Sequence, residues 1–390
     1  MSATGVASAP RPIASGVDAT CMSLPDALTL GPAVWDAVQA RAVSPSPFMS
    51  WAWHRAWADS AVDAPSSEAL VLRDIGSEVQ AILPMLRRRV LFHRVPVTTL
   101  TWAIGEMGYP DHLDVLALPG TDLSRLVPLL EELDWQVLVL SNLAPNAPGA
   151  GQLGDAMADR GHVVHRQPVW PCPYLDLCDD WERYLAGLSS RRRQAIRYME
   201  RSLQRHHVVT ITDYDGDRVE EGWRHLVTLH ERRWRDAPGN EEGAFRDPRV
   251  DRLHRRFTAE LAQRGQLWLT SLDLDGEPAA AWYGFTCHDT VYFYQSGRDP
   301  RWERESVGQV LIGAMIRRAM ERGYRRFDFL RGDDAYKRHW TTTQRTTEEI
   351  TIFRRGWRGG LLRRLDAVAD LRTRLRRGKS DASLDPEATC

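Results

Sequence analysis

A chain of 390 residues has room for two or three domains, and 43% hydrophobic against 26% charged residues is the balance of an ordinary soluble protein. The formal net charge of -1 gives no overall pull toward nucleic acid or an anionic membrane, so DNA binding has no support and any electrostatic recognition is local. The five cysteines, Cys21, Cys172, Cys178, Cys287 and Cys390, are odd in number and form no C-x-x-C pair. That argues against a disulfide framework or a zinc site, and the reducing cytoplasm is the expected compartment.

Residues 1–22 are small and polar, lack the basic and apolar regions of an export signal, and read as a disordered leader. No apolar run approaches the roughly 20 residues that span a bilayer. "ALVLRD" and "VQAILPMLRRRV", split by the turn "IGSE", read as paired strands, followed by the helix "DLSRLVPLLEEL" and the strand "WQVLVLSNL". Next comes the helix "LSSRRRQAIRYMERSLQR", with Ile196, Met199 and Leu203 on one face and Arg193, Arg197, Arg201 and Arg205 around the other. This basic stripe is either a solvated face or an electropositive rim for phosphates.

Further on, "GQLWLTSL", "EPAAAWYGFTC" and "VYFYQS", joined by "DLDG" and "HDT", read as an antiparallel meander. A helix opened by Ser306 and closed by Gly323 follows, turning Val310, Leu311, Ala314, Met315 and Ala319 inward. It leads to the strand "RRFDFLRG", which a right-handed crossover makes parallel to its predecessor. The succession of hairpin, helix and strand occurs twice, which predicts two related α+β units, 23–168 and 169–356, the first mainly structural and the second chemically equipped. Residues 357–390 open as a basic amphipathic helix carrying Leu361, Leu365, Val368, Leu371 and Leu375. It can pack on its own domain or dock on an anionic membrane or a protein partner.

Asp328, Arg331, Asp333, Asp334, Tyr336 and Lys337 crowd into ten residues just past the last of these strands. Asp328 reads as a general base or as an ion-pair partner of Arg331. Tyr336 reads as a proton donor or a packing ring. Lysine occurs only at Lys337 and Lys379 among 51 lysines and arginines, so Lys337 stands out as a compact charge that reaches a phosphate or carboxylate where a forked guanidinium would not fit. The start of the helix at Ser306, with Gly308 permitting close approach, is an anion site in outline. The 15 tryptophans, Trp51, Trp53 and Trp57 among them, read mostly as core. H-E-x-x-H, G-x-x-x-x-G-K-[ST], G-x-S-x-G and G-x-G-x-x-G motifs are absent from the sequence.

The run "YFYQSGRDPRWERESVGQVLIGAMIRRAMERGYRRFDFLRGDDAYKRHW" resembles GNAT-superfamily acyltransferases of the CelD or BcsL type, relatives of the FemAB peptidyl transferases. The likeness extends to "PSPFMSWAWHRAW" and "LSSRRRQAIRYMERSL". It implies two tandem GNAT-like domains, each a mixed, mostly antiparallel sheet with a β-α-β crossover and flanking helices. It also implies acetyl-CoA or another acyl-CoA as donor, no metal, and an amino-sugar or polysaccharide acceptor in exopolysaccharide or cellulose biosynthesis. Tyr336 matches the tyrosine that protonates the departing thiolate, and the residues themselves offer Asp328, or a water it holds, as the base. Gln295, Ser306, Val307, Gly308 and Gln309 fall where the donor is held, and Arg193, Arg197, Arg331, Asp333, Lys337 and Trp340 where phosphates or acceptor would bind. The pyrophosphate-loop pattern [QR]-x-x-G-x-[GA] is kept only at Gly308, with Glu305 and Val310 departing, which leaves aminoacyl-tRNA, the FemAB donor, as the alternative. A third alternative is a non-catalytic accessory protein of polysaccharide synthesis.

Overall fold

The computed structural model describes residues 18–61, 67–74, 76–105, 107–235 and 243–367. The first half runs β1 (Asp18–Ser23), α1 (Leu24–Leu28), α2 (Pro32–Arg41), α3 (Trp51–Ser60), β2 (Ser67–Arg73), β3 (Val79–Phe92), β4 (Val95–Trp102), β5 (Leu116–Ala117), α4 (Val127–Glu132), β6 (Val137–Leu143) and α5 (Pro148–Asp159). It continues with β7 (Val163–Asp176), α6 (Trp181–Gly187), α7 (Ser190–His206), β8 (Val209–Asp213), α8 (Val219–Arg235), α9 (Pro248–Gln263), β9 (Leu267–Leu274), β10 (Glu277–Cys287) and β11 (Thr290–Arg298). The end comprises α10 (Val307–Glu321), β12 (Arg326–Asp328), α11 (Ala335–Arg338), β13 (Gln344–Phe353) and a helix over 357–367, α12. Residues 1–17 of the expected leader lie outside the described residues. Residues 18–22, also expected there, are corrected to the strand β1, which pairs antiparallel with β2.

Turn chemistry explains the meander. Asp275 and Gly276 both take positive φ, the conformation a two-residue hairpin loop needs, and they join β9 to β10 at the Leu274–Glu277 pair. His93 and Arg94 adopt the same conformation between β3 and β4 without the usual Asn-Gly signature, and for that reason β4 escaped the sequence reading.

All the strands join one mixed sheet in the order β1-β2-β3-β4-β6-β13-β7-β12-β11-β10-β9-β8, with β5 beside β3. That order is palindromic. Each half is an antiparallel meander followed, across a helical crossover, by one parallel partner: β6 beside β4 and β12 beside β11. The two halves meet at the antiparallel pair of β7 and β13. The expected division at residue 168 therefore falls inside β7, which hydrogen-bonds β13 with its first part and β12 with its last. Likewise β13, from the end of the chain, sits between β6 and β7. Each half is completed by a strand of the other, so neither has a closed sheet of its own.

Helices cover the sheet with apolar faces. On α10 the buried side chains are Val307, Leu311, Ile312, Met315, Ile316, Ala319 and Met320. The inward face is thus rotated from the one expected, leaving Val310 and Ala314 half-buried. Trp340, expected at the acceptor site, is instead fully buried in this core, and a Cβ on Gly313 would come within 2.8 Å of its ring. Trp53 and Trp57 are core residues, as the sequence suggested, and Trp51 is half-buried.

Gly297 of β11 lies directly under α8, where an added Cβ would stand 2.4 Å from the His230 nitrogen and 2.6 Å from the Leu229 carbonyl carbon. Both are helix backbone and cannot swing aside. Gly297→Ala should lower stability by about 2–3 kcal/mol, read as a falling thermal midpoint; an unchanged midpoint would show that α8 does not rest on this strand.

Candidate active site

β11 and β12 pair in parallel over only three positions, ending at Tyr292 opposite Asp328. Beyond this point they separate. Phe293 to Ser296 continue on β11, paired on their other side to β10, while Phe329 and Gly332 donate their N–H groups to the carbonyls of Pro173 and Pro171. The wedge opens into a cavity of about 280 Å3 lined by Phe293–Ser296 and Phe329–Arg331, by His230 and Arg233 of α8, and by Asp334, Tyr336 and Lys337.

The first half has an equivalent wedge between β4 and β6, but its own chain fills it. Leu113 forms a parallel bridge with Leu143: its N–H meets the Asn142 carbonyl at 2.9 Å, and its carbonyl accepts the Ala144 N–H at 2.8 Å. The filling segment then reaches the second wedge, since Tyr109 and Asp111 line the same cavity as Tyr336. Several contacts hold it there, among them the Arg331 guanidinium donating to the Pro110 carbonyl at 2.7 Å. Asp111 accepts the Arg331 backbone N–H at 3.0 Å and pairs with its guanidinium at 2.8 Å. The Tyr294 hydroxyl donates to the Gly108 carbonyl. His112 Nε2 meets Asp328 at 3.3 Å. Positive φ at the non-glycine residues Tyr109 and His112 is backbone strain that these contacts sustain, while Gly105 and Gly108 adopt it freely. The sequence reading missed Tyr109 and Asp111; "GYPDH" looked like an ordinary loop, and no spacing rule connects it with a wedge more than 180 residues away.

Asp328 does not line the wedge. Its carboxylate is completely buried, and it pairs with Arg345, meets His112 and accepts the Leu330 N–H at 2.8 Å. Burial pushes it up, but His112, Arg345 and the Leu330 amide outweigh burial and hold it well below the usual carboxylate range. Such a carboxylate is a poor proton acceptor at neutral pH. It anchors the strand end, and its partners are Arg345 and His112 rather than Arg331.

Tyr336 faces the cavity, its ring 6.1 Å from that of Phe293 and 5.9 Å from the Arg233 guanidinium carbon. Burial and then Asp334 push the phenol up, so it is protonated at neutral pH, and its hydroxyl makes no hydrogen bond among the described residues. Lys337 lines the same cavity but is committed inward: its Nζ donates to the carbonyls of Arg331 at 2.6 Å and Leu330 at 3.3 Å, and pairs with Asp334 at 3.3 Å. A Cβ on Gly332, whose φ is +105°, would stand 3.3 Å from that nitrogen. A guanidinium fork does not fit this space, which accounts for the rare lysine: it closes a tight loop instead of reaching out to a phosphate.

The other expected residues are dispersed. Gln295 and Arg331 line the wedge. Ser306 lines a second cavity of about 340 Å3 with Arg304, Glu305, His206 and His207. It begins α10 with a φ of 56° and no side-chain cap. Val307 is buried in the core, so only its backbone can meet a ligand. Glu305 Oε2 and Gln309 Oε1 are buried without a partner, and the carboxylate opposes an anion at the helix start. Arg193 donates to the Ala186 carbonyl and Arg197 pairs with Glu182, neither lining the wedge. Asp333 pairs with Arg338 on the surface.

Three buried histidines are kept neutral: burial pushes His54 and His230 down to about 4 and His254 down to about 3. At the wedge, His230 Nδ1 lies 3.0 Å from the Ser296 carbonyl while its Nε2 accepts the Ala244 N–H, so both nitrogens are engaged. His254 joins the hydroxyls of Tyr294 and Tyr283. Because these folded-state values lie below the unfolded 6.5, their stabilisation is complete above that pH and is lost as pH falls toward 4. The loss is at most about 4 kcal/mol per pH unit for three histidines. Asp114, pushed up to about 6 by burial, offsets about a third of this. Denaturant midpoints should fall steeply between pH 6.5 and 4.5; a flat profile would contradict the neutral assignment.

Among the described residues no helix is long and apolar enough to cross a membrane, and no group of three or more His, Cys, Asp or Glu is placed to hold a metal. Residues 190–338 match the model of the acetyltransferase (GNAT) domain. No curated protein matches the chain in sequence. Among solved structures, FemX is similar at a TM-score of 0.58 and 10% identity, over 82% of this chain and 95% of that one. L-PGS from Bacillus licheniformis is similar at 0.51 and 10% identity, over 84% and 93%. The C-terminal domain of a putative lysylphosphatidylglycerol synthetase from Agrobacterium fabrum is similar at 0.50 and 10% identity, over 84% and 92%. Residues 190–338 thus match a GNAT-type acetyltransferase domain, within a two-part mixed sheet whose fold is similar to that of FemX.

Proposed function

We propose that the protein is an acyltransferase that holds its donor in the wedge between β11 and β12 and transfers the acyl group to an amine or hydroxyl acceptor. The observation that carries this reading is the early end of the β11–β12 pairing beside a cavity that Tyr336 faces. In the leading form the donor is acetyl-CoA or another acyl-CoA, its chain lying along the unpaired edge of Phe293–Ser296 and its phosphates toward the backbone of Ser306–Gln309. The acceptor attacks the thioester carbonyl and the C–S bond breaks. Tyr336 gives its hydroxyl proton to the departing sulfur. Asp334, half-exposed at the cavity, takes the acceptor's proton in the place first assigned to Asp328. The resemblance to CelD- and BcsL-type acyltransferases supports an amino sugar or polysaccharide precursor as acceptor. Thiol release from acetyl-CoA, measured across amino sugars, polyamines and glycan oligomers, tests donor and acceptor together. No release with any of them overturns this form.

A second form, with aminoacyl-tRNA as donor, is favoured by the FemX-like fold and by Glu305, whose carboxylate opposes a pyrophosphate at the start of α10. Under this form tRNA binding weakens steeply as salt rises, because several phosphates are neutralised. A flat salt response excludes it.

A further inference from the structure

The hairpin of β3 and β4 and the helix α12 come from distant parts of the chain and pack together. Leu362 of α12 is buried against Val97, Val137 and Phe353, with Phe92 and Val95 beside it. The Phe92 and Phe353 rings lie 6.1 Å apart, and His93 meets Asp366 at 3.1 Å. These contacts correct the expected face of the helix: Leu362 points inward, whereas Leu361 is 49% exposed. Trp357, one turn earlier on the same outward side, is 76% exposed with the Arg358 guanidinium carbon 5.3 Å from its ring, and Leu91 near the hairpin tip is 73% exposed.

The charge around these side chains is mostly positive, with Asp366 facing His93 and His165 at the inner edge. Residues 87–97 and 354–364 contain nine arginines and no aspartate or glutamate, in a chain whose net charge is -1. Arg87 pairs with Glu68, Arg355 with Glu131, and Arg354 donates to backbone carbonyls. The remaining six, Arg88, Arg89, Arg94, Arg358, Arg363 and Arg364, have no carboxylate within ion-pair distance among the described residues. In sequence, residues 371–379 add Arg372, Arg374, Arg376, Arg377 and Lys379.

We propose that the β3–β4 hairpin and α12 together form a docking surface for an anionic lipid bilayer. An exposed tryptophan and two leucines set among unpaired arginines match the chemistry of such a surface: the rings and alkyl groups enter the headgroup boundary while the guanidinium groups meet lipid phosphates. A nucleic acid would reward the arginines but not the leucines, and a second copy of the chain would bring the same positive charge against itself.

The test uses the full chain in sedimentation with vesicles of phosphatidylcholine, with and without phosphatidylglycerol. The expected result is binding to the anionic vesicles only, weakened at least about tenfold by Trp357→Ser with Leu361→Ser and again by Arg358→Glu with Arg364→Glu. These side chains are exposed, so unchanged thermal midpoints certify that the variants are folded. Three results would overturn the proposal: no preference for anionic vesicles, wild-type binding by both double variants, or a patch that binds tRNA and not vesicles. Because vesicle binding is read without any donor or acceptor, failure of the transferase reading leaves this test intact.

Discussion

Tyr336→Phe should lower kcat by about a hundredfold or more while leaving the thermal midpoint in place. General acid catalysis by a positioned side chain contributes about 10²–10⁴-fold, which sets the size of the loss. The structure makes the experiment clean, because the Tyr336 hydroxyl has no hydrogen-bond partner among the described residues and the ring contacts with Phe293 and Arg233 survive in phenylalanine. KM should change little. A fully active Tyr336→Phe protein would remove the tyrosine from the chemistry.

Asp328→Ala should cost about 3–5 kcal/mol of stability, the amount expected when one partner of a buried ionic cluster is deleted and the others are left unpaired. Arg345 would lose its carboxylate, and the Leu330 N–H and His112 would lose their acceptor, where the first-half segment joins the second half. Asp328→Asn separates anchor from base. It preserves shape and removes charge, so the folded fraction should retain activity while its melting temperature drops. A stable but inactive Asp328→Asn would restore the carboxylate as the base and contradict its anchoring role.

Much of the second half could be read from its letters. The Asp275-Gly276 turn, the apolar strands around it and the periodic helix after Ser306 give strand, crossover and parallel strand by local chemistry alone. The duplicated order was also legible, although β4 was lost because His93 and Arg94 make their turn without asparagine or glycine at those positions. What stayed hidden is long-range. No periodicity announces that β13 inserts between β6 and β7, or that Leu113 fills the first wedge and carries Asp111 to the second.

The candidate site divides on the same line. Gln295, Arg331, Tyr336 and Lys337 surround one cavity because they flank the two splaying strands, and strand ends are visible in sequence. The partners of Asp328 stayed hidden because alternation with Phe327 and Phe329 gives the face of a carboxylate but not what it meets, and Arg345 arrives from β13. Lys337 was noticed for its rarity, but its carbonyl partners depend on the positive φ of Leu330 and Gly332.

The wedge itself is tested most directly by thermal stabilisation with acetyl-CoA in the wild-type chain and in Ser296→Trp, whose indole would fill the space beside β11. A ligand at about 100 times its dissociation constant adds about 2.7 kcal/mol to a folded protein. The prediction is a clear rise in the wild-type midpoint and none in the folded variant. No rise in the wild-type, or an equal rise in both, would contradict donor binding between β11 and β12.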